Sequence, residues 1–268
     1  MSTLARTDLE SLLRARKLDR TLTTTLAPLD PYDEYAVAPA GVTALDASLG
    51  GGFPRGQLSE LIGPRSSGRT SLLLQILAAA TGRGELVALV DALDTFDVAS
   101  ASAAGIDLER LLWVRGHVVI NSGMCRDVNP RAIEQAVKAL MLILQAGKFG
   151  CVVLDVADAP AEAIRRLPFT TWLRLQRILE GSQTACVLVG SEPMARSSAG
   201  LSVKCEGQDP SATSKKPRSN EPRSKEDCAE DHGHLFKGLD LALHVRSAKG
   251  HLREGVRVSL TTQVSPYV

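Results

Sequence analysis

The chain has 268 residues, 44% of them hydrophobic, and its Lys plus Arg (31) nearly cancel its Asp plus Glu (30), leaving a net charge of +1. That length and composition allow one sizeable α/β core with appendages, and the charge excludes a global basic field that would draw the protein to nucleic acid. Cys125, Cys151, Cys186, Cys205 and Cys228 form no Cys-x-x-Cys pair, so neither a zinc site nor a disulfide framework is suggested, and a reducing cytoplasm fits. The start of the chain lacks an apolar signal core, and no run reaches the roughly 18 apolar residues of a membrane span, so a soluble, unexported protein without membrane contact is expected.

In chain order, Leu4 to Leu18 read as a short basic amphipathic helix, with Leu9, Leu12 and Leu13 on one side and Arg14, Arg16 and Lys17 beside them. A Thr- and Pro-rich connector, 21–39, leads to a turn at Gly50-Gly51-Gly52. Strand-like Gln57 to Ile62 is followed by a helix pattern from Ser71. Strands are then expected at 86–91, 111–114, 151–155 and 185–190, separated by helices ending near Gly105 and over 130–146 and 161–179. Strands alternating with helices predict a mostly parallel sheet covered on both faces. From Val203 to about His232 the periodicity stops among scattered Pro, Lys, Arg and Glu, and a disordered loop is expected there. Two alternating runs, 239–245 and 256–260, predict an antiparallel extension of the sheet. The organisation expected is an arm over 1–39 and a core over 40–268.

The most informative stretch is Gly63-Pro64-Arg65-Ser66-Ser67-Gly68-Arg69-Thr70-Ser71, which has the spacing of a phosphate-cradling P-loop between a strand and a helix. In such a loop successive N–H groups converge on phosphate oxygens at a helix N-terminus. Thr70 is placed to put its hydroxyl on a magnesium ion. Arg69 occupies the usual lysine position and keeps the charge as a broad planar fork. Asp155, ending an apolar strand, is the expected carboxylate on the metal's far side. ATP and magnesium are the ligands this pattern would take.

From Val42 through Gly116 the order Thr-x-Leu-Asp-x-x-Leu-Gly-Gly-Gly, Pro-x-Gly, Gly-Pro-x-Ser-Ser-Gly-x-Thr, Val-Asp-Ala and Ala104-Gly105-Ile106-Asp107 resembles the core of the bacterial RecA family almost without gaps. The resemblance implies a RecA-like P-loop core, with the later strands compatible and the small C-terminal domain without a counterpart. It also exposes departures. The glutamate that activates the attacking water in that family falls at Leu93, so no catalytic base is assigned. Asp94 is adjacent but shorter. The adenine-stacking aromatic falls at Ser100, and the lysine pair that reaches the neighbouring subunit's nucleotide falls around 262–264 and is absent. Losing these separate contributions together implies a scaffold that has largely shed hydrolysis.

Leu12-Leu13-Arg14-Ala15-Arg16-Lys17-Leu18 and Arg165-Arg166-Leu167-Pro168-Phe169-Thr170-Thr171-Trp172-Leu173-Arg174-Leu175 further resemble the ImuA family, RecA-like accessory proteins of bacterial mutasomes. That resemblance implies an adaptor in translesion synthesis. Its partners would be RecA, an ImuB-like Y-family polymerase homologue and an error-prone replicative-type polymerase, with single-stranded DNA as a further contact and a nucleoid-associated place in the cytoplasm. Arg165, Arg166, Arg174 and Arg177 read either as a partner or DNA groove or as the wet face of a helix whose Leu167, Phe169, Leu173 and Leu175 point inward. Leu9, Leu12 and Leu13 read equally as a surface that buries against another protein or as part of a frayed basic tail. Trp113 and Trp172 read as packing residues. The readings that compete with the adaptor are an active DNA-dependent ATPase or recombinase of the RecA class and a nucleotide-sensing regulator.

Overall fold

A computed structural model describes residues 36–116, 128–195, 199–207, 240–248, 255 and 257–261. The expected N-terminal helix with Leu9, Leu12 and Leu13, most of the proline-rich segment beyond 207, and Cys125 and Cys228 lie outside the described residues.

Three apolar runs, Val87–Asp91 (β4), Cys151–Asp155 (β6) and Ala185–Gly190 (β7), form buried central strands, flanked by Leu58–Ile62 (β3) and Leu111–Arg115 (β5). With Ala199–Gly207 (β8), Asp240–Ala248 (β9) and Arg257–Thr261 (β10), they make a sheet of order β10-β9-β8-β3-β7-β6-β4-β5. All pairings from β8 to β5 are parallel, and β8-β9 and β9-β10 are antiparallel. The expected architecture is therefore present. A two-stranded pair, Val37–Ala38 (β1) with Phe53–Pro54 (β2), lies outside this sheet.

Helices cover both faces. Leu45 and Leu49 of the Thr43–Ser48 helix (α1) and its flank, the apolar side of Arg69–Gly82 (α2) and Ala101 of Val98–Ala103 (α3) pack with Leu61, Leu89, Val153, Val187 and Val203. Ile133, Val137, Leu140 and Leu144 of Val128–Ala146 (α4), with Trp172, Leu175 and Leu179 of Phe169–Leu179 (α6), close the other face over Leu58, Val90, Leu154 and Leu188. The period-two pleat sorts each strand between these layers, so Val87, Leu89 and Asp91 share the α2 face with Cys151, Val153 and Asp155.

Two expectations are corrected. The single helix over 161–179 is two, Ala161–Arg165 (α5) and α6, because Pro168 has no N–H to continue a helix and instead precedes the first residue of the next. The break resets the helical phase: Trp172, Leu175 and Leu179 point inward, whereas Phe169 and Leu173 are 36% and 40% exposed. Residues 203–207 are not loop but the end of β8, whose Leu201, Val203 and Cys205 are buried between β3 and β9.

Buried charge ties the layers together. Arg55, 7% exposed, donates to Glu85 Oε1 at 2.7 Å and to the carbonyls of Gly150, Gln183 and Val37, joining the starts of three strands. Inside β3, Glu60 Oε1 accepts from the N–H groups of Met194 and Ala195 at 2.7 and 2.6 Å, pinning the segment that follows β7.

Candidate functional site

The parallel strands all end at one edge of the sheet, and the P-loop crosses that edge. A side chain at Gly63 would place its Cβ 2.5 Å from the Cys205 carbonyl oxygen and 2.6 Å from Ser67 Oγ, so the close approach of β8 leaves room only for glycine. Ser66 (φ 59°) and Gly68 (φ 82°) both take left-handed conformations, which fold the loop back before Leu72 N–H donates to the Gly68 carbonyl and starts α2. No side chain caps α2. Its first-turn N–H groups, which have no intrahelical acceptor, therefore receive none from a capping side chain, and the helix dipole adds positive potential there.

Two polar atoms at this junction are buried without a hydrogen-bond partner among the described residues, Ser67 Oγ and Arg69 Nη1. Each such group costs about 1–3 kcal/mol when left unmade. Ser67 is 1% and Arg69 7% exposed, so bulk solvent does not reach these atoms. An anionic ligand with several acceptor oxygens, such as a nucleotide's phosphates, fits a loop with free amides, an orphan hydroxyl and an orphan guanidinium nitrogen.

Asp155 stands at the tip of β6, in register with Asp91 on β4. The residue keeps some open surface, but protein surrounds its carboxyl. Burial pushes that carboxyl up to about 6, Asp91 and Asp158 add to the rise, and the N–H of Ala157 and the charge of Arg69 pull it back. Arg69 thus lies within electrostatic range of Asp155, and also of the Cys205 thiol, which burial pushes up to about 12 against the pull of Arg69. Thr70 is exposed as the second residue of α2. The structure places Thr70 and Asp155 at the same edge of the sheet. Thr70 through its hydroxyl and Asp155 through its carboxylate would be the residues to hold a magnesium ion there, which would supply positive charge beside bound phosphates.

Asp91 has a different task. Its Oδ1 accepts from Thr95 N–H at 3.0 Å and its Oδ2 from Phe96 N–H at 2.8 Å and Trp113 Nε1 at 3.3 Å, which fixes the loop after β4. Asp94, in a left-handed conformation (φ 57°), is held two-pronged by Arg115 through Nε and Nη2, each at 2.8 Å. That guanidinium keeps the Asp94 carboxyl below the usual carboxylate range. Arg115 also lies over the Trp113 ring, 4.6 Å from its centroid, and Trp113 meets Phe96 at 5.3 Å. Trp113 is therefore more than apolar packing. Leu93 turns to the opposite side and packs against the α4–α6 layer. Ser100, exposed on α3, donates its N–H to the Asp97 carboxylate and offers no ring.

The arginines sit in different local settings. Arg165 pairs with Glu192 at 2.5 Å, Arg166 caps α5, and Arg174 and Arg177 are exposed on α6. Sequence reasoning missed Asp158, which binds Arg65 of the P-loop, and the Arg115–Trp113 clamp on Asp94. It also missed Glu60, although a charge inside an apolar strand just ahead of a P-loop was a visible signal.

The model of the RecA N-terminal domain family matches residues 29–162. RecA proteins of Symbiobacterium thermophilum and Rubrobacter xylanophilus are 36% and 38% identical over 46% and 44% of this chain, in each case 31% of the relative. The chain thus matches about a third of the length of these curated relatives. Among solved structures, a KaiC-like protein of Pyrococcus horikoshii OT3 superposes with a TM-score of 0.50 over 84% of this chain and 94% of the other, at 18% identity, a likeness of fold. Among the described residues no helix is long and apolar enough to cross a membrane.

Proposed function

The chain belongs to the RecA N-terminal domain family, and from that premise we propose that it is a RecA-like adaptor of DNA damage tolerance that binds ATP with little or no hydrolysis. The observation that carries this reading is the contrast within one site. The phosphate loop is fully built, whereas Leu93 is packed into the far apolar layer and Asp94 is committed to Arg115. Between β4 and α3 Asp94 is held by Arg115 and Asp97 accepts from the first N–H groups of α3, while the orphan Ser67 Oγ and Arg69 Nη1 still call for an anion.

In this reading Gly63 to Ser71 hold the nucleotide's phosphates: backbone amides and Ser67 donate, and Arg69 supplies charge. Thr70 and Asp155 position magnesium, which when bound neutralises and orients the phosphate oxygens. Ser100 leaves the base without an aromatic platform, so affinity rests on the phosphates. The protein is a cytoplasmic, nucleoid-associated support for translesion synthesis. It contacts RecA, an ImuB-like Y-family polymerase homologue or an error-prone replicative-type polymerase through the N-terminal leucines and through Arg165, Arg166 and Arg174, with single-stranded DNA as a further contact. The orphan polar atoms favour a second reading of the same site, in which ATP is a regulatory ligand that tunes these contacts.

The test is a pull-down of the full chain against RecA and a Y-family polymerase homologue, alongside ATP turnover with and without single-stranded DNA. Capture of either partner with negligible turnover is expected. Brisk DNA-stimulated hydrolysis abolished by Asp155→Ala would replace the adaptor with an active RecA-class ATPase.

A further inference from the structure

The P-loop carries two arginines, and the second has an arrangement of its own. Arg65, at the loop's outer turn, is 81% exposed and reaches across the site to Asp158, three residues beyond Asp155. Its Nε donates to Asp158 Oδ1 at 3.0 Å and its Nη2 lies 2.9 Å from that same oxygen. The guanidinium fork is built to hold two acceptor oxygens side by side, so this pairing uses it poorly. With Asp158 itself 37% exposed, such a pair shifts an equilibrium by no more than about a factor of five. Asp158 lies close enough to Asp155 for its charge to act on that carboxyl, so the guanidinium of Arg65 already hangs over the acidic edge of the phosphate site.

We propose that Arg65 is a second phosphate ligand held in reserve by Asp158: when a polyphosphate tail enters the loop, Arg65 leaves the single carboxylate oxygen and closes its fork on two phosphate oxygens. This deepens the nucleotide-binding reading above and rests on it. Arg69 supplies charge from below, at the root of α2, and Arg65 supplies it from the rim. Affinity for ATP is set by competition, because every phosphate contact of Arg65 is made at the expense of Asp158. The exchange also releases Asp158, which stands just ahead of α5 and so ties site occupancy to the start of the segment bearing Arg165 and Arg166.

Competition gives a signature that a structural ion pair lacks. Calorimetric titration of the full chain with ATP and magnesium, and with inorganic pyrophosphate, compares wild type with Arg65→Ala, Asp158→Asn and the double variant. Asp158→Asn is expected to tighten both ligands about three- to fivefold by removing the competitor. Arg65→Ala is expected to weaken them about tenfold or more. The double variant is expected to match Arg65→Ala, since without the arginine the competitor has nothing to withhold. Ligand-free melting within about 3 °C of wild type for both single variants shows that folding is not the cause. Weakened or unchanged binding in Asp158→Asn, or tightening that persists without Arg65, overturns the exchange while leaving nucleotide binding in place. Absence of binding heat from wild type with either ligand sinks both readings together.

Discussion

Asp155→Asn is the perturbation whose size the structure fixes best. The carboxyl is carried from its ordinary 3.8 to about 6, mainly by burial and then by Asp91, so ionising it in the ligand-free fold costs about two pK units more than in the unfolded chain. At about 1.4 kcal/mol per unit the ceiling is about 3 kcal/mol, and because the residue keeps some open surface the expected gain is about 1–3 kcal/mol. The sign follows from proton counting. Below about pH 4 the carboxyl is protonated in both states and Asp155 carries no penalty. Between about 4 and 6 the folded state binds more protons than the unfolded one, so wild-type stability falls as pH rises. Above about 6 the full penalty is in place. Asparagine removes the charge and can still accept from Ala157 N–H. Urea denaturation of both proteins in EDTA across pH 4 to 8 should therefore show curves that coincide at the acid end and separate toward neutrality. At neutral pH the variant should melt roughly 3–10 °C higher. A variant no more stable than wild type at pH 7.5, or a difference that does not change with pH, would refute the picture of a carboxyl held charged at a cost.

Leu93→Glu should not create ATP turnover, because position 93 faces the α4–α6 layer, and the half-buried charge should lower stability by about 1–3 kcal/mol. Phosphate release and urea titration check both halves, and a measurable rise in turnover would contradict the assignment. Arg55→Met should cost about 3–5 kcal/mol in equilibrium unfolding, since among the described residues Glu85 would keep Arg83 alone as a cation and the carbonyls of Gly150 and Gln183 would lose a donor. A loss below about 1 kcal/mol would show that the buried network is redundant.

The order of strands and helices and the place of the P-loop could be read from the residues because each rests on local chemistry: apolar runs of strand length, a glycine at Gly63 where a side chain is barred, and one at Gly68 where the loop turns left-handed. β8 was hidden for a different reason. Leu201-Ser202-Val203-Lys204-Cys205-Glu206 alternates cleanly, but the proline-rich residues that follow masked a strand needing β3 and β9 on either side to be stable. The break at Pro168 was legible in principle, and once made it exposes Phe169 and Leu173 by rephasing the helix. The partners of Arg55, Arg65 and Arg115 had no local signal. Their hydrogen-bond partners lie between 18 and 128 residues away in the chain, and a long cation gives no sequence-level hint of which distant acceptor it will meet.

Glu60 gives the phosphate loop a foundation it does not own. The strand that delivers Gly63 is bolted, through one carboxylate oxygen, to the N–H groups of Met194 and Ala195, in the segment past β7 that also carries the Glu192 paired with Arg165. Any tug that a bound anion exerts on the loop is carried through this crossing to the segment that holds Glu192. Loosening that single bolt would let the two drift apart while every residue of the loop itself stayed in place.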